Sequence, residues 1–367
     1  MADRIKRFFE CLMPVTACNL KCGYCYVIQR DNRKMEVPKL KYTPETIGKG
    51  LTIDRLGGVC YFSICGAGET LIPEDTIQIT EQLLKNGHFV NITTNGTLSH
   101  RFDELVKLPK EHLERLHIAF SLHFNELLRL NMLEAFFDNV RKIKIAGASF
   151  VVQINLCDEY LDKWEEIKDI CISKIGAPPQ VAATRKENDL NTDVELMTSL
   201  SKEEYKRIGD QYESPLFEFT MKNFDVKRKE FCYAGDWSGT LNLGTGILTR
   251  CYGVEPQDIF ENLEKPIRFC AVGRCNQLFC MNSSHFMSLG VIPDLATPSY
   301  ASLRNRESAG WYTPRMKEFL DGKLINSNSE YSSIQRKHCI ARSIMRESIR
   351  LLKKTIKRAM NRIGIKV

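Results

Sequence analysis

Three cysteines near the start of the chain, Cys18, Cys22 and Cys25, have the type and spacing needed for metal chemistry. They form a C-x3-C-x2-C pattern. Three thiolates on one loop can bind three irons of a cubane cluster, and the fourth iron then stays open to an outside ligand. A structural zinc ion would need a fourth Cys or His to complete its tetrahedron, and this loop offers none. The pattern therefore favours a [4Fe–4S] cluster with one open iron.

A second group of cysteines lies much later in the chain. Thirteen residues separate Cys232 from Gly246, and four more separate Gly246 from Cys251. A C-x4-C-x4-C pattern follows, formed by Cys270, Cys275 and Cys280. The first residues of the chain do not read as a signal peptide, so we expect a cytoplasmic, reducing compartment. There, grouped cysteines indicate metal binding or catalysis before disulfides.

The elements that must position these cysteines alternate between strand and helix. From residue 8 to about residue 184, segments of helical period separate six short apolar runs, namely FFECLMPV, VCYFSICG, HFVNITTNG, LHIAFSLH, SFVVQINLC and PQVAATR. Continuous apolar strands that alternate with helices predict a parallel sheet. Six units are too few for a closed eight-fold barrel. We therefore predict an α/β fold with an open, partial (β/α)6 barrel.

The rest of the chain divides by composition. We predict the barrel over residues 1–184 and a polar linker with one or two helices over 185–230. A small Gly- and Cys-rich module is predicted over 231–290, and a C-terminal extension over 291–367. The charge is divided as well, because residues 336–367 carry +10 and the remainder −3 of the net +7.

This basic tail is predicted to be an amphipathic helix. Its apolar residues keep a three-to-four spacing from Ala341 through Met345, Ile349 and Leu352 to Ile363. The helix either packs on the body of the protein with a solvated basic face or attaches to an anionic membrane surface. Nucleic-acid binding is disfavoured because the tail has no aromatic residue. No apolar run is long enough for a transmembrane helix.

Residues 8–184 resemble the core of the radical S-adenosylmethionine (SAM) superfamily, in the triad spacing and in the motifs at the strand ends. The resemblance implies that SAM binds the open iron through its amino and carboxylate groups. An electron from an external donor of the flavodoxin or ferredoxin type then cleaves SAM to a 5′-deoxyadenosyl radical. This radical removes a hydrogen atom from a substrate C–H bond.

The resemblance also implies which residues contact SAM. Tyr24 stands where the family carries an aromatic residue near the adenine, and residues 94–97 (TNGT) resemble the segment that lies close to SAM. The GAGE stretch at the end of the second strand resembles the family's GGE-type motif, and its candidate residues are Gly66, Gly68 and Glu69. Taken alone, such stretches are ordinary turns. From the TNGT stretch we select Thr94 and Asn95.

Candidates for ribose or substrate contacts end the next two strands. They are Ser121 and His123 after the fourth strand and Asn155 on the fifth. A lone histidine in this position is more often structural. The carboxyl ends of parallel strands are where such folds place their chemistry. No carboxylate or histidine stands out as a general acid or base, so no catalytic residue is assigned.

The second cysteine group resembles the opening of the auxiliary-cluster modules called SPASM and twitch domains. In this interpretation Gly246 allows a hairpin that brings Cys232 and Cys251 together. The later cysteines depart from the full SPASM pattern, so one auxiliary [4Fe–4S] cluster is predicted. Its favoured ligands are Cys232, Cys251, Cys275 and Cys280, with Cys270 as a contested fifth and Cys339 as a remote candidate for a second cluster. A structural zinc ion would be satisfied by four cysteines as well.

The sequence supports three hypotheses about the function. The leading one is an oxidoreductase-like radical SAM enzyme that modifies a saccharide, which a membrane-bound tail would favour in a lipid-linked form. The alternative within the same class is a peptide-modifying maturase. The alternative of another class is a non-catalytic, metal-stabilised binding protein. Substrate identity, reaction outcome and oligomeric state do not follow from these patterns.

Overall fold

The computed structural model describes residues 3–186, 195–251, 254–277, 279–280 and 282–362. Its centre is a parallel sheet whose strands are β1 (Arg7–Met13), β2 (Cys60–Gly66), β3 (Phe89–Thr94), β4 (Leu116–Ser121), β5 (Ser149–Leu156) and β6 (Gln180–Ala183). Each strand pairs in parallel with the next one along the chain. The predicted open, partial barrel is thereby confirmed.

Helices connect these strands: α1 (Tyr26–Gln29), α2 (Pro44–Gly50), α3 (Ile53–Leu56), α4 (Asp75–Lys85), α5 (Ser99–Leu105), α6 (Lys110–Leu113), α7 (Phe124–Arg129), α8 (Leu133–Ile145) and α9 (Trp164–Ile175). A 3₁₀ helix, Asp158–Lys163, precedes α9. At the start of helix α2, the side chain of Thr43 accepts the N–H of Thr46, and Pro44 occupies the first turn. One segment of helical period divides into α7 and α8, where Asn131 takes a φ of 54°.

The sheet continues past β1 with strands from the Cys-rich part of the chain. They are β9 (Ser238–Asn242), β10 (Ile247–Thr249) and β11 (Gln257–Asp258), and the sheet order is β11-β10-β9-β1-β2-β3-β4-β5-β6. A separate two-stranded sheet joins β7 (Arg185–Lys186) to β8 (Glu195–Leu196). Strand β9 runs parallel to β1, so the Cys-rich segment is joined to the edge of the barrel sheet.

The remaining helices are α10 (Lys202–Asp210), α11 (Pro215–Asn223), α12 (Ser283–Phe286), α13 (Tyr300–Arg304), α14 (Pro314–Asp321) and α15 (Ser333–Arg362). Short 3₁₀ helices span Glu307–Ala309 and Leu324–Ser327. The segment predicted as a polar linker contains α10 and α11. Helix α11 buries Leu216, Phe217 and Phe219, and it packs against β6.

Helix α15 is the predicted basic helix, and its first half is docked on the Cys-rich segment. Cys339 is buried, and the hydroxyl of Ser343 donates to the carbonyl of Arg274 at 2.7 Å. By contrast, Met345, Ile349 and Leu352 are 59%, 47% and 61% exposed. The side chains from residue 353 onward, with most of the predicted basic ones and Ile363, lie outside the described residues. In the described part of the chain, no helix is long and apolar enough to cross a membrane.

Candidate active site

The loop that carries the cysteine triad follows β1 and is held from two sides. The N–H of Cys25 donates to the carbonyl of Cys22 at 3.1 Å, which closes a tight turn between two of the thiols. The guanidinium of Arg33 donates to the carbonyls of Cys18 and Leu20, at 2.8 and 3.0 Å. These bonds fix the backbone of the loop that carries the thiols.

Asn95, at the end of β3, ties this loop to the barrel. Its amide nitrogen donates to the side-chain oxygen of Asn19 at 2.8 Å, and it lies 3.8 Å from the sulfur of Cys18. Its amide oxygen accepts the hydroxyl of Thr97 at 2.6 Å. Asn19 in turn donates to that hydroxyl at 2.9 Å. The TNGT stretch is therefore a support for the triad loop as well as a strand-end turn.

Glu69 joins the ends of β2 and β3 through a buried carboxylate. Its Oε1 accepts the hydroxyl of Thr94 at 2.6 Å and the N–H of Leu71 at 3.0 Å, and its Oε2 accepts the N–H of Asn95 at 2.7 Å. Burial raises the pKa of Glu69, and these donors act in the opposite direction. The carboxylate fixes the wall of the site, because its oxygens are already engaged by the protein.

Gly68 lies where two stretches of backbone meet. Its N–H donates to the carbonyl of Val15 at 2.7 Å, and the next residue, Glu69, donates its N–H to the carbonyl of Ala17 at 2.8 Å. A Cβ on residue 68 would collide with the carbonyl oxygen of Ala17. Glycine is therefore required for the end of β2 to reach the triad loop.

Tyr24, between the second and third cysteines, is buried and belongs to a hydrogen-bonded group of three side chains. Its hydroxyl lies 2.7 Å from Nδ1 of His123 and 2.9 Å from the hydroxyl of Tyr160. Burial lowers the pKa of His123 to about 4, so this imidazole is neutral near pH 7. Tyr24, the predicted aromatic residue near the adenine, is thus hydrogen-bonded to His123, which follows β4.

Residues from these elements line one cavity of about 290 Å³. Its lining includes all the residues selected from the triad and the first five strand ends: Cys18, Cys22, Tyr24, Cys25, Gly66, Gly68, Glu69, Thr94, Asn95, Ser121, His123 and Asn155. The three cysteines line the same cavity as polar residues from the strand ends. This arrangement suits a cluster that has one open iron and a polar ligand bound to that iron. The sequence argument missed other members of the site, because local patterns do not reveal Asn19, Arg33, Tyr160 or Arg185.

The second cysteine group is also assembled by the fold. Strands β9 and β10 form the predicted hairpin, and Gly246 takes a φ of 76° at its turn. Burial raises the pKa of Cys251, and the neighbouring thiols of Cys232, Cys280 and Cys275 add to the effect. Burial and the thiol of Cys275 likewise raise the pKa of Cys280 to about 12. Each of these four thiols therefore interacts electrostatically with at least one of the others.

Cys270, the contested fifth residue, lies elsewhere. Its thiol is hydrogen-bonded to that of Cys339, and burial together with Cys270 raises the pKa of Cys339 to about 11. Arg342 on α15 approaches the sulfur of Cys270 at 3.9 Å. The structure therefore pairs Cys270 with Cys339 across the interface with α15. Within the described residues, no three His, Cys, Asp or Glu side chains are grouped closely enough for a single metal ion.

One part of the sequence matches a known family. Residues 12–171 match the family model described as the Radical SAM superfamily. This segment runs from the end of β1 to α9 and contains the triad and most of the cavity lining. This part of the chain is therefore similar to the Radical SAM superfamily, and the similarity implies a [4Fe–4S] cluster and SAM as cofactors.

Similar folds occur among solved structures. SuiB from Streptococcus suis is 16% identical, with a TM-score of 0.49, over 70% of this chain and 65% of that chain. The chain therefore spans less than two thirds of the length of SuiB. A structure of anSMEcpe with bound AdoMet is 14% identical, with a TM-score of 0.47, over 95% of this chain and 100% of that chain. No curated protein matches the chain.

Proposed function

We propose that this radical SAM enzyme removes a hydrogen atom from a saccharide, with Cys18, Cys22 and Cys25 as the ligands of its catalytic cluster. When bound, the cluster and SAM supply a 5′-deoxyadenosyl radical for this step. The observation that carries the proposal is the shared cavity, where the three thiols meet the polar ends of β2 to β5. The protein itself orients the substrate and excludes water from the reacting atoms.

Each side of the cavity has a proposed task. The backbone of Gly66 and Gly68 meets the amino-acid end of SAM, since small residues allow close approach. Asn95 and Glu69 keep that wall rigid through their bonds to the triad loop and to each other. Tyr24 packs near the adenine. Ser121 and His123 face the ribose or the substrate, with His123 held as a neutral hydrogen-bonding group.

The second cysteine group is proposed to hold one auxiliary [4Fe–4S] cluster through Cys232, Cys251, Cys275 and Cys280. Proximity of the four thiols supports this ligand set. Cys270 is left out because it pairs with Cys339. Four cysteines would also satisfy one zinc ion. Metal analysis distinguishes a zinc ion from an iron–sulfur cluster, because cubane clusters give brown, iron-rich protein.

The substrate class is the less constrained part of the proposal. A saccharide is preferred, and membrane contact through α15 would suit a lipid-linked form of it. A peptide is the alternative, and SuiB has been crystallised bound to the precursor peptide SuiA. In either case an external low-potential electron donor is needed, and dithionite can replace it in the assay.

Contact with an anionic membrane through α15 is a second proposal, and it suits a lipid-linked saccharide. It is supported by the exposed apolar residues Met345, Ile349 and Leu352 in a strongly basic segment. The test is co-sedimentation of the full chain with phosphatidylglycerol vesicles. Ile349→Glu/Leu352→Glu should abolish pelleting, whereas Ile145→Glu, on the exposed side of α8, should not. Equal pelleting of all three proteins would contradict the proposal.

The cysteine triad is tested with a matched variant from the same cavity. Anaerobically reconstituted protein, reduced with dithionite, should release 5′-deoxyadenosine from SAM. Cys22→Ala should abolish this release, while Cys65→Ala, which changes a thiol on β2 that lines the same cavity, should preserve it. Release that survives Cys22→Ala would reject the proposed ligand set.

A further inference from the structure

A second cavity of about 210 Å³ opens beside the SAM cavity. The two share Asn155, Ala183 and Arg185 in their linings, so they are contiguous. The lining of the second cavity also includes Cys280, one of the proposed ligands of the auxiliary cluster. We call this cavity the chamber. A molecule in the chamber would lie between the two cysteine groups.

Three side-chain amides line the chamber and are available for ligands. They belong to Gln153 and Asn155 on β5 and to Asn282 just before α12. In the described part of the chain, the side chains of Gln153 and Asn155 have no hydrogen-bond partner. The amide nitrogen of Asn282 donates to Glu10, and in the same part of the chain its amide oxygen has no hydrogen-bond partner. Amides donate and accept at once, which suits hydroxyl groups.

The rest of the lining agrees with a small hydroxylated ring. The ring centroids of Phe224 and Phe279 lie 5.4 Å apart, and both rings contribute apolar surface to the lining. Ser283 and Ser284 contribute hydroxyl groups. The chamber is smaller than the roughly 300–1,000 Å³ of drug-sized ligand pockets. Its size therefore suits one ring or one side chain.

Glu10 fixes the orientation of one of the three amides. It lies on β1, and its Oε1 accepts the Nδ2–H of Asn282 at 2.7 Å. This bond turns the amide oxygen of Asn282 away from Glu10. The other carboxylate oxygen is buried without a partner among the described residues, although burying an unpaired acceptor is costly. The charged group facing Glu10 is Arg185, which also lines both cavities.

We infer that the chamber binds a hexose unit of the substrate through Gln153, Asn155 and Asn282, and that Glu10 is the positioning residue for Asn282. The inference rests on the proposed function, because it places the sugar next to SAM. Free and nucleotide-linked hexoses share this chemistry, and the test distinguishes them.

The test is equilibrium dialysis of the reconstituted full chain with radiolabelled D-glucose, UDP-glucose and an acetylated Ala-Ser-Ala amide. We expect retention of one or both sugars. Gln153→Leu should weaken it about threefold to tenfold, as for the loss of one or two neutral hydrogen bonds. Gln211→Leu, at an exposed position after α10, should leave it unchanged. Retention of UDP-glucose alone would assign the linked form.

The positioning role is tested with a double-mutant cycle. Glu10→Leu and Asn282→Leu should weaken sugar retention equally, and the double variant should be no weaker than either. Glu10→Gln should restore retention, since its amide oxygen can still accept from Asn282. Additive losses would reject the role of Glu10.

Three results would overturn the chamber assignment: retention of the peptide alone, no retention of either sugar, or equal sugar retention by Gln153→Leu and the parent protein. Release of 5′-deoxyadenosine without substrate is measured on the same preparations. If release is intact and sugar binding fails, only this inference falls. If release itself is absent, the proposed function falls.

Discussion

The carboxylate of Glu69 accepts the backbone N–H of Asn95 at 2.7 Å, and this bond joins the ends of two neighbouring parallel strands. Asn95 reaches onward to Asn19 in the triad loop. A continuous chain of hydrogen bonds thus connects the β2 end, the β3 end and the cysteines. Disturbing the carboxylate should therefore affect the SAM site as well as stability.

Glu69→Gln should lower both properties. An amide has one acceptor oxygen, so at least one of the donors from Thr94, Leu71 and Asn95 loses its partner. We expect a loss of about 2 kcal/mol in the free energy of unfolding, typical of an unpaired buried group. SAM affinity should fall about tenfold or more if the same energy is lost from the site. Urea denaturation and equilibrium dialysis with labelled SAM measure the two effects.

Glu81→Gln is the matched control, because this residue forms an exposed ion pair with Lys85 on α4. Such pairs contribute little. If Glu69→Gln behaved like this surface variant, the carboxylate would not be a structural link.

Gly68→Ala should damage the site through a steric collision. The new Cβ would meet the carbonyl oxygen of Ala17, so the triad loop or the end of β2 must shift. We expect a loss of about 1–3 kcal/mol in unfolding free energy, as for other overpacked positions, and reduced iron retention. Gly23→Ala is the control, because its Cβ would lie 3.6 Å from Oε2 of Glu159, an ordinary van der Waals contact. Equal iron content in both variants would contradict the argument.

Two double variants should differ in iron content. Cys251→Ala/Cys280→Ala removes two thiols of the group of four, and it should reduce the iron from about eight atoms per chain to about four, the content of one cubane. Cys270→Ala/Cys339→Ala removes the separate pair and should retain about eight. Iron and zinc are measured by elemental analysis. Loss of iron from the second variant would place Cys270 or Cys339 in a cluster.

Stability should fall in mild acid because of His88. This side chain is fully buried, accepts the N–H of Cys60 at 3.1 Å and lies 2.9 Å from the carbonyl of Leu51. Burial lowers its pKa from 6.5 to about 4. Between these values the unfolded chain takes up a proton and the folded one does not. The free energy of unfolding should therefore decrease as the pH falls, by about 3 kcal/mol over the window.

His88→Gln should flatten this dependence, since glutamine has no proton to gain. His100→Gln, at an exposed position on α5, serves as the control and should keep the dependence of the parent protein. Urea midpoints between pH 7 and pH 4.5 report the slope. An unchanged slope in His88→Gln would show that other groups govern acid unfolding.

Local patterns were sufficient to predict the barrel and to select residues that line one cavity. The apolar runs are continuous because both faces of a parallel sheet are buried, so each strand could be located. The carboxyl ends of parallel strands meet at one edge, which is why motifs at four strand ends could be assigned to one site. The residues that support this site from elsewhere, Asn19 and Arg33 among them, carry no such periodic signal.

The spacing of cysteines by itself predicted the triad, because Cys18, Cys22 and Cys25 lie within eight consecutive residues of one loop. In the Cys-rich segment the sequence favoured four ligands and left Cys270 contested, and only the tertiary structure pairs Cys270 with Cys339. There, the hairpin β9–β10 pairs with β1 and carries Cys251 toward Cys280, while α15 docks alongside and presents Cys339 to Cys270. Contacts across long loops depend on which surfaces pack together, and sequence separation does not encode that.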